Sequence, residues 1–178
     1  MKKHITNSTD STTPPSVTSA VEESFHRQLF CYEIDNHRIF VEPKIKIEVL
    51  EKTVIYPIPH APKWYAGVTS LRGNILTIVN MHFLLGIAET KTEKRLLRLE
   101  HPDFPPLAIA IDNLPHQRDT KEIEKNSHSN QSHYPQWVTS TSKYNNSTFL
   151  FADHSALFEA MKNNTIKQPV ITTVNLPH

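Results

Sequence analysis

The residues of this sequence that could do chemistry are eleven histidines, a single cysteine and a scatter of carboxylates. Nucleophilic catalysis needs a nucleophile held against a base on a rigid turn or strand, and metal chemistry needs several ligands converging on one point. The sequence offers no Gly-x-Ser-x-Gly elbow, no Gly-rich phosphate loop and no His-Glu-x-x-His pair. Cys31 falls in the apolar run Leu29 to Ile34, where a thiol is expected to be a buried, inert hydrophobe. His128 with His133, and His101 with His116, come nearest to ligand pairs, but they stand in polar segments without the i, i+4 spacing that sets two imidazoles on one helix face. The expectation is a non-enzymatic chain with no catalytic residue, metal or cofactor, whose function is binding.

What must position such a binding surface is one modest domain. The chain has 178 residues, and 19 Lys plus Arg against 18 Asp plus Glu leave a net charge of +1. That gives no long-range field for nucleic acid or an anionic membrane, and no Lys/Arg cluster exceeds two. One cysteine excludes an intrachain disulfide and fits a reducing compartment. The start, Met1-Lys2-Lys3-His4, carries positive charge but is followed by Thr, Ser, Asn and Pro rather than an apolar stretch, so a signal peptide is not expected. No apolar run approaches the roughly 20 residues that span a bilayer, and a soluble, cytoplasmic protein is the reading. Residues 1–24 are too polar to offset the entropy of ordering and read as a disordered tail. Residues 25–162 form the domain, and 163–178, with Pro169 and Pro177, a loosely ordered extension. The polar stretch between Lys121 and Ser147, anchored by Tyr134, Trp137 and Val138, reads as a long loop flanking a short strand.

Within the domain the pattern is that of short strands. Leu29 to Ile34 and Arg38 to Val41 meet across Asp35-Asn36-His37, a turn whose Asp and Asn tolerate positive φ. Ile45, Ile47 and Val49 alternate with Lys44, Lys46 and Glu48, which predicts one apolar face. Pro57, Pro59 and Pro62 impose an extended crossing. Gly67 to Leu71 and Ile75 to Val79 form a hairpin about Arg72-Gly73-Asn74, with Gly73 at the turn. Asn80 is placed to cap one helical turn, Met81 to Leu85, that stops at Gly86. Further strands are expected at Arg95 to Leu99, Leu107 to Ile111 and Phe149 to Ala152. Asp153 then caps a short helix with Leu157, Ala160 and Met161 on one face. Many short strands with a few short helices indicate an all-β barrel or a pair of small barrels.

All three glycines fall between Gly67 and Gly86. The wording around them, from Pro59-His60-Ala61-Pro62-Lys63-Trp64-Tyr65-Ala66-Gly67-Val68 through Leu71-Arg72-Gly73 and Ile75-Leu76-Thr77-Ile78-Val79-Asn80 to Leu84-Leu85-Gly86, resembles the signature of the CheW-like family. The resemblance extends from about Gln28 to Met161, strongest in this window and weaker after Glu100. It implies two small SH3-like five-stranded β-barrels packed together, acting as an adaptor between the cytoplasmic tip of a chemoreceptor and the regulatory domain of a CheA-type histidine kinase. Ile47-Glu48-Val49 is similar to the family's Glu-bearing strand, and the resemblance implies an ion pair between Glu48 and Arg72. It also implies a partner-binding face formed by Glu48, Gly67, Val68, Leu71, Arg72 and Gly73, to which Lys46 is added because it lies on the same predicted polar face as Glu48. Read without the family, Arg72 is a solvated turn residue, Lys46 an ordinary surface lysine, and Tyr56, Trp64 and Tyr65 are either core or the edge of an apolar patch. Asn80 stands where the family has an aspartate, and Asp35-Asn36-His37 where it has glycines. Length and the polar start resemble the PilI-type members that serve type IV pilus (twitching motility) systems. The alternatives are a flagellar chemotaxis adaptor and a stand-alone SH3-like protein-binding module.

Overall fold

A computed structural model describes residues 28–51, 53–88, 95–129 and 133–166. The tail read over 1–24, and the extension beyond Ile166, lie outside the described residues. The elements are β1 (Gln28–Ile34), β2 (His37–Phe40), β3 (Lys46–Leu50), β4 (Tyr65–Leu71), β5 (Asn74–Val79), α1 (Met81–Leu85), β6 (Arg95–Glu100), β7 (Leu107–Ile111), β8 (Asn113–Asp119), α2 (Lys121–Lys125), β9 (Ser127–Ser129), β10 (Val138–Tyr144), β11 (Ser147–Ala152) and α3 (His154–Lys162). They form two sheets, β8-β1-β2-β11-β10-β9 and β3-β6-β7-β5-β4. The all-β, two-barrel architecture is as expected, with one difference. One sheet carries a sixth strand, the three-residue β9. The barrels do not divide the chain into halves: β1 and β2 pair with C-terminal strands, and β3 to β7 are inserted between them.

Side-chain alternation explains why the strands read as almost continuously apolar. Each central strand is covered on both faces, one turned into its own barrel and the other against the neighbouring barrel. Cys31, Phe40 and Phe149 pack inside the outer barrel with Ile123, whereas Tyr32, Ile39 and Leu150 face the seam. All of β7, Leu-Ala-Ile-Ala-Ile, is buried. Its small residues Ala108 and Ala110 fill the narrow inserted barrel. Leu107, Ile109 and Ile111 reach into the seam, where Met81 and Leu84 of α1 and Leu157 and Phe158 of α3 join them. The seam cluster is the largest of the three, and each fully buried Leu or Ile contributes about 2 kcal/mol. The seam between the barrels therefore holds the largest share of the buried apolar side chains.

Several local expectations hold. Asn80 Oδ1 accepts from Phe83 N at 3.1 Å, and Gly86 closes α1 with φ 68°. Asp153 Oδ1 accepts from Ala156 N at 3.0 Å. Two expectations fail and a third holds in part. Val49 is 39% exposed and Leu50 is the buried residue, so the β3 alternation breaks at its end where the strand leaves the seam. In α3 Leu157 is buried and Met161 packs against the core as expected, but Ala160 is half-exposed and the other buried residues are His154 and Phe158. The supposed loop from 121 to 147 contains α2, β9 and the seven-residue β10.

The start of α3 is held from the β2–β3 connection. Glu42 Oε2 accepts from His154 N at 2.6 Å and lies 3.2 Å from His154 Nδ1, while Lys44 Nζ stands 3.3 Å from Oε1. The hydrogen bond from the His154 side chain is the main cause that holds the Glu42 carboxyl well below its ordinary 4.5, at about 2, against the opposing effect of burial. A depressed carboxyl stabilises the fold above its unfolded value and ceases to do so as pH falls through the folded one. Because solvent reaches this carboxyl and screens it, the expected result is a loss of about 1–2 kcal/mol between about pH 4.5 and pH 2. Urea titrations across that range check it. Glu42→Gln should be less stable at neutral pH and lack this segment of the acid dependence.

Candidate functional site

The β4–β5 hairpin turns on two residues, since Leu71 pairs with Asn74. Both central residues have positive φ, Arg72 at 52° and Gly73 at 82°, the backbone of the hairpin turn that follows strand twist. Gly73 adopts it freely, but a left-handed arginine costs about 1 kcal/mol. Asn or Gly would satisfy the turn at lower cost, so a reason for arginine lies in its side chain.

That side chain reaches across the barrel. Arg72 Nη2 donates to Glu48 Oε1 at 2.6 Å. Glu48 is on β3 and Arg72 follows β4, the two outermost strands of the five-stranded sheet, so the contact exists because that sheet curls until its edges meet. The same closure is made by Tyr56, which exchanges backbone hydrogen bonds with Val68 at 2.8 and 2.9 Å, and by Thr69 Oγ1, which donates to Val54 O at 2.8 Å. Gly67 lies beneath this crossing with φ 142°, and a Cβ there would stand 2.5 Å from Tyr56 O.

Glu48 is also the register partner of Arg98 on β6, as Lys46 is of Glu100. Arg98 Nη1 lies 3.4 Å from Glu48 Oε2 and 2.9 Å from Glu100 Oε2, and Lys46 Nζ is 3.7 Å from Glu100 Oε1. Lys46, Glu100, Arg98, Glu48 and Arg72 thus form one chain of alternating charge over the outside of the barrel. With Arg72 74% and Lys46 83% exposed at the side chain, solvent screens these contacts to about 0–1 kcal/mol each. Their effect is to fix where charges point.

Of the seven residues singled out in the sequence, Lys46, Glu48, Arg72 and Gly73 share this surface. Val68 is half-buried, Leu71 packs on the interior of the inserted barrel, and Gly67 is covered by Ile55 and Tyr56. Arg98 and Glu100 were not singled out: Leu96-Leu97-Arg98-Leu99-Glu100 reads as a strand, but only the register across to β3 gives these charges their partners. Exposed apolar side chains flank the face, with Ile75 80%, Val54 64% and Tyr56 58% exposed. Trp64 packs against the seam and Tyr65 is half-buried, so of the three aromatics Tyr56 is the surface residue.

A groove of about 530 Å³ runs between the barrels, lined by Leu29 and Phe30 of β1, Val41, Glu42 and Ile45 of the β2–β3 connection, and Ile47 of β3. Cys31 is fully buried, 3.5 Å from His116 Nε2, and burial pushes its thiol up to about 11. At that value it is protonated at neutral pH. His101 and His116 lie apart, the first against Phe104 and Ser155, the second beside Cys31. Among the described residues, no helix is long and apolar enough to cross a membrane.

The solved structure of scaffolding protein TtCheW from Thermoanaerobacter tengcongensis superposes with a TM-score of 0.55 at 15% identity, covering 71% of this chain and 88% of that one. The likeness is one of fold. Protein FrzA of Myxococcus xanthus is 26% identical over 81 residues, 46% of this chain and 51% of FrzA, so the chain spans about half the length of that curated relative. The family model of the CheW-like domain matches residues 28–162, which take in both sheets, the curled barrel edge and the Glu48–Arg72 pair. The chain belongs to the CheW-like domain family.

Proposed function

We propose that this protein is a non-enzymatic scaffold of a chemosensory system, coupling the cytoplasmic tip of a chemoreceptor to the regulatory domain of a CheA-type histidine kinase. The observation that carries the reading is the Glu48–Arg72 contact at 2.6 Å, made by a residue whose backbone is strained to hold it. The exposed charges Lys46 and Arg72, with Glu48 and the backbone of Gly67 to Gly73, form the receptor-facing surface, and the groove between barrels takes the kinase regulatory domain. Membership of the family and the scaffolding description of TtCheW support this assignment. The pathway is that of type IV pilus twitching motility, served by a PilI-like adaptor in the cytoplasm that meets the membrane only through receptor arrays. Neither nucleic acid nor direct membrane insertion takes part.

Such contacts are individually modest and are multiplied by many copies in an array. Arg72→Glu tests the reading, because it sets two carboxylates against each other at the turn. The variant is expected to keep its thermal midpoint within a few degrees, since an exposed pair contributes about 0–1 kcal/mol. It should lower receptor-dependent kinase activity in a reconstituted receptor–adaptor–kinase assembly by about tenfold or more. Kinase coupling equal to wild type would remove the proposed surface. Loss of pilus-dependent surface motility, with flagellar swimming unaffected, on deletion of the gene tests the pathway.

A further inference from the structure

Arg72 offers five guanidinium donors, and Glu48, left to itself, can take two of them in a forked pair that turns the guanidinium inward. It does not do so here. One Glu48 oxygen, Oε1, accepts from Arg72 Nη2 at 2.6 Å, and the other, Oε2, faces Arg98 Nη1 at 3.4 Å. Arg98 is in turn fixed by Glu100 at 2.9 Å, and its side chain is only 22% exposed against 74% for Arg72. Arg98 is held between two carboxylates; the turn arginine is the accessible one. In the whole chain from Lys46 to Arg72, three cations face two carboxylates, so the face carries one positive charge in excess, and both of its ends, Lys46 and Arg72, are exposed cations.

We propose that Arg98 is the positioning residue of this docking face: by occupying the second oxygen of Glu48 it limits Glu48 to a single bond with Arg72, leaving the outer edge of the Arg72 guanidinium for a carboxylate on the partner. The partner surface fitted by this arrangement carries an acidic side chain beside an apolar one, since Ile75 is 80% exposed one strand residue beyond the turn. The inference rests on the reading of this face as the receptor-facing surface.

Arg98→Met keeps the unbranched stem and removes the charge. It frees Glu48 to take Arg72 in a fork. The measurement is calorimetric affinity for a soluble chemoreceptor cytoplasmic-tip fragment, at low and at high salt, alongside thermal unfolding. Expected are a midpoint close to wild type, an affinity about tenfold lower, and a weaker loss of affinity as salt rises from about 50 to about 300 mM. Combined with Arg72→Ala, Arg98→Met should add nothing, because the two act through one guanidinium. Arg98→Lys, which retains the charge, should recover most of the affinity. Wild-type affinity in Arg98→Met, or losses that add in the double variant, overturn the inference while Arg72→Glu still reports on the surface. A wild-type chain that ignores the fragment removes both.

Discussion

Gly67→Ala is expected to lower the thermal midpoint by about 10 °C, more than any change to the surface charges. The added methyl would stand 2.5 Å from Tyr56 O and 2.9 Å from Ile55 Cγ2, and the first of these is backbone that cannot rotate away. The residue also has φ 142°, a conformation that costs a non-glycine residue about 1–3 kcal/mol. Relieving the clash moves the Tyr56 peptide, which exchanges two hydrogen bonds with Val68, at about 1 kcal/mol each. Together these give about 3–5 kcal/mol, at about 2–4 °C of midpoint per kcal/mol in a chain of this size. Gly73→Ala is the control. Its φ is 82° but a Cβ would meet nothing within 4 Å, so about 1 kcal/mol of backbone strain is all that is expected. Thermal unfolding followed by circular dichroism separates them, and equal midpoints for the two variants would mean that the approach of Tyr56 to Gly67 does not constrain the barrel.

The second large effect is expected at Asp112, which follows β7 and binds the two barrels by polar contacts. Its Oδ2 accepts from Asp35 N at 2.6 Å in the β1–β2 turn and faces His82 Nε2 of α1 at 3.1 Å, while its own amide donates to Glu33 O at 3.0 Å. Asp112 and His82 side chains are 0% and 1% exposed. As a carboxylate Asp112 can only accept, so His82 Nε2 carries the hydrogen. Asp112→Ala leaves the Asp35 amide without its acceptor at a residue with φ 53° and removes a carboxylate partner from a buried imidazole. Depriving two donors of their common acceptor costs about 1–3 kcal/mol each, several times the whole Glu48–Arg72 contact. Asp112→Asn should fall about midway, because its amide oxygen replaces one acceptor and its NH₂ opposes the other donor. Urea denaturation at pH 7 measures both, and a shift below about 1 kcal/mol for Asp112→Ala would mean that the seam does not depend on this carboxylate.

Much of the fold was legible because its punctuation is local. Asn80, Gly86 and Asp153 announce helix ends through bonds made within four residues, and the 71–74 turn is set by its own two central residues. Strands that failed to register were those with little apolar alternation. β8, Asn-Leu-Pro-His-Gln-Arg-Asp, contains a proline and no fully buried residue. β10 buries only Val138 and Ser142, so its position is decided by pairing with β11 rather than by its own pattern. Among the described side chains of α2, Ile123 alone reaches the core. The Glu48–Arg72 pair was reached through a family resemblance, not from spacing. The share of Arg98 in it depends on a register between β3 and β6 that no local pattern encodes. For the same reason the expected apolar face of β3 ended two residues early, at Ile47.

The insertion of β3 to β7 into a barrel built from both ends of the described chain has a mechanical consequence. β1 and β11 both flank β2, β11 running parallel to it and β1 antiparallel, so tension applied between the two ends is carried across those three strands. On the C-terminal side it enters through α3, whose Leu157 and Phe158 sit in the seam and whose first residue is held by Glu42, so it loads the contact between the barrels as well. A pull between the two ends thus reaches the inserted barrel through the seam instead of passing it by.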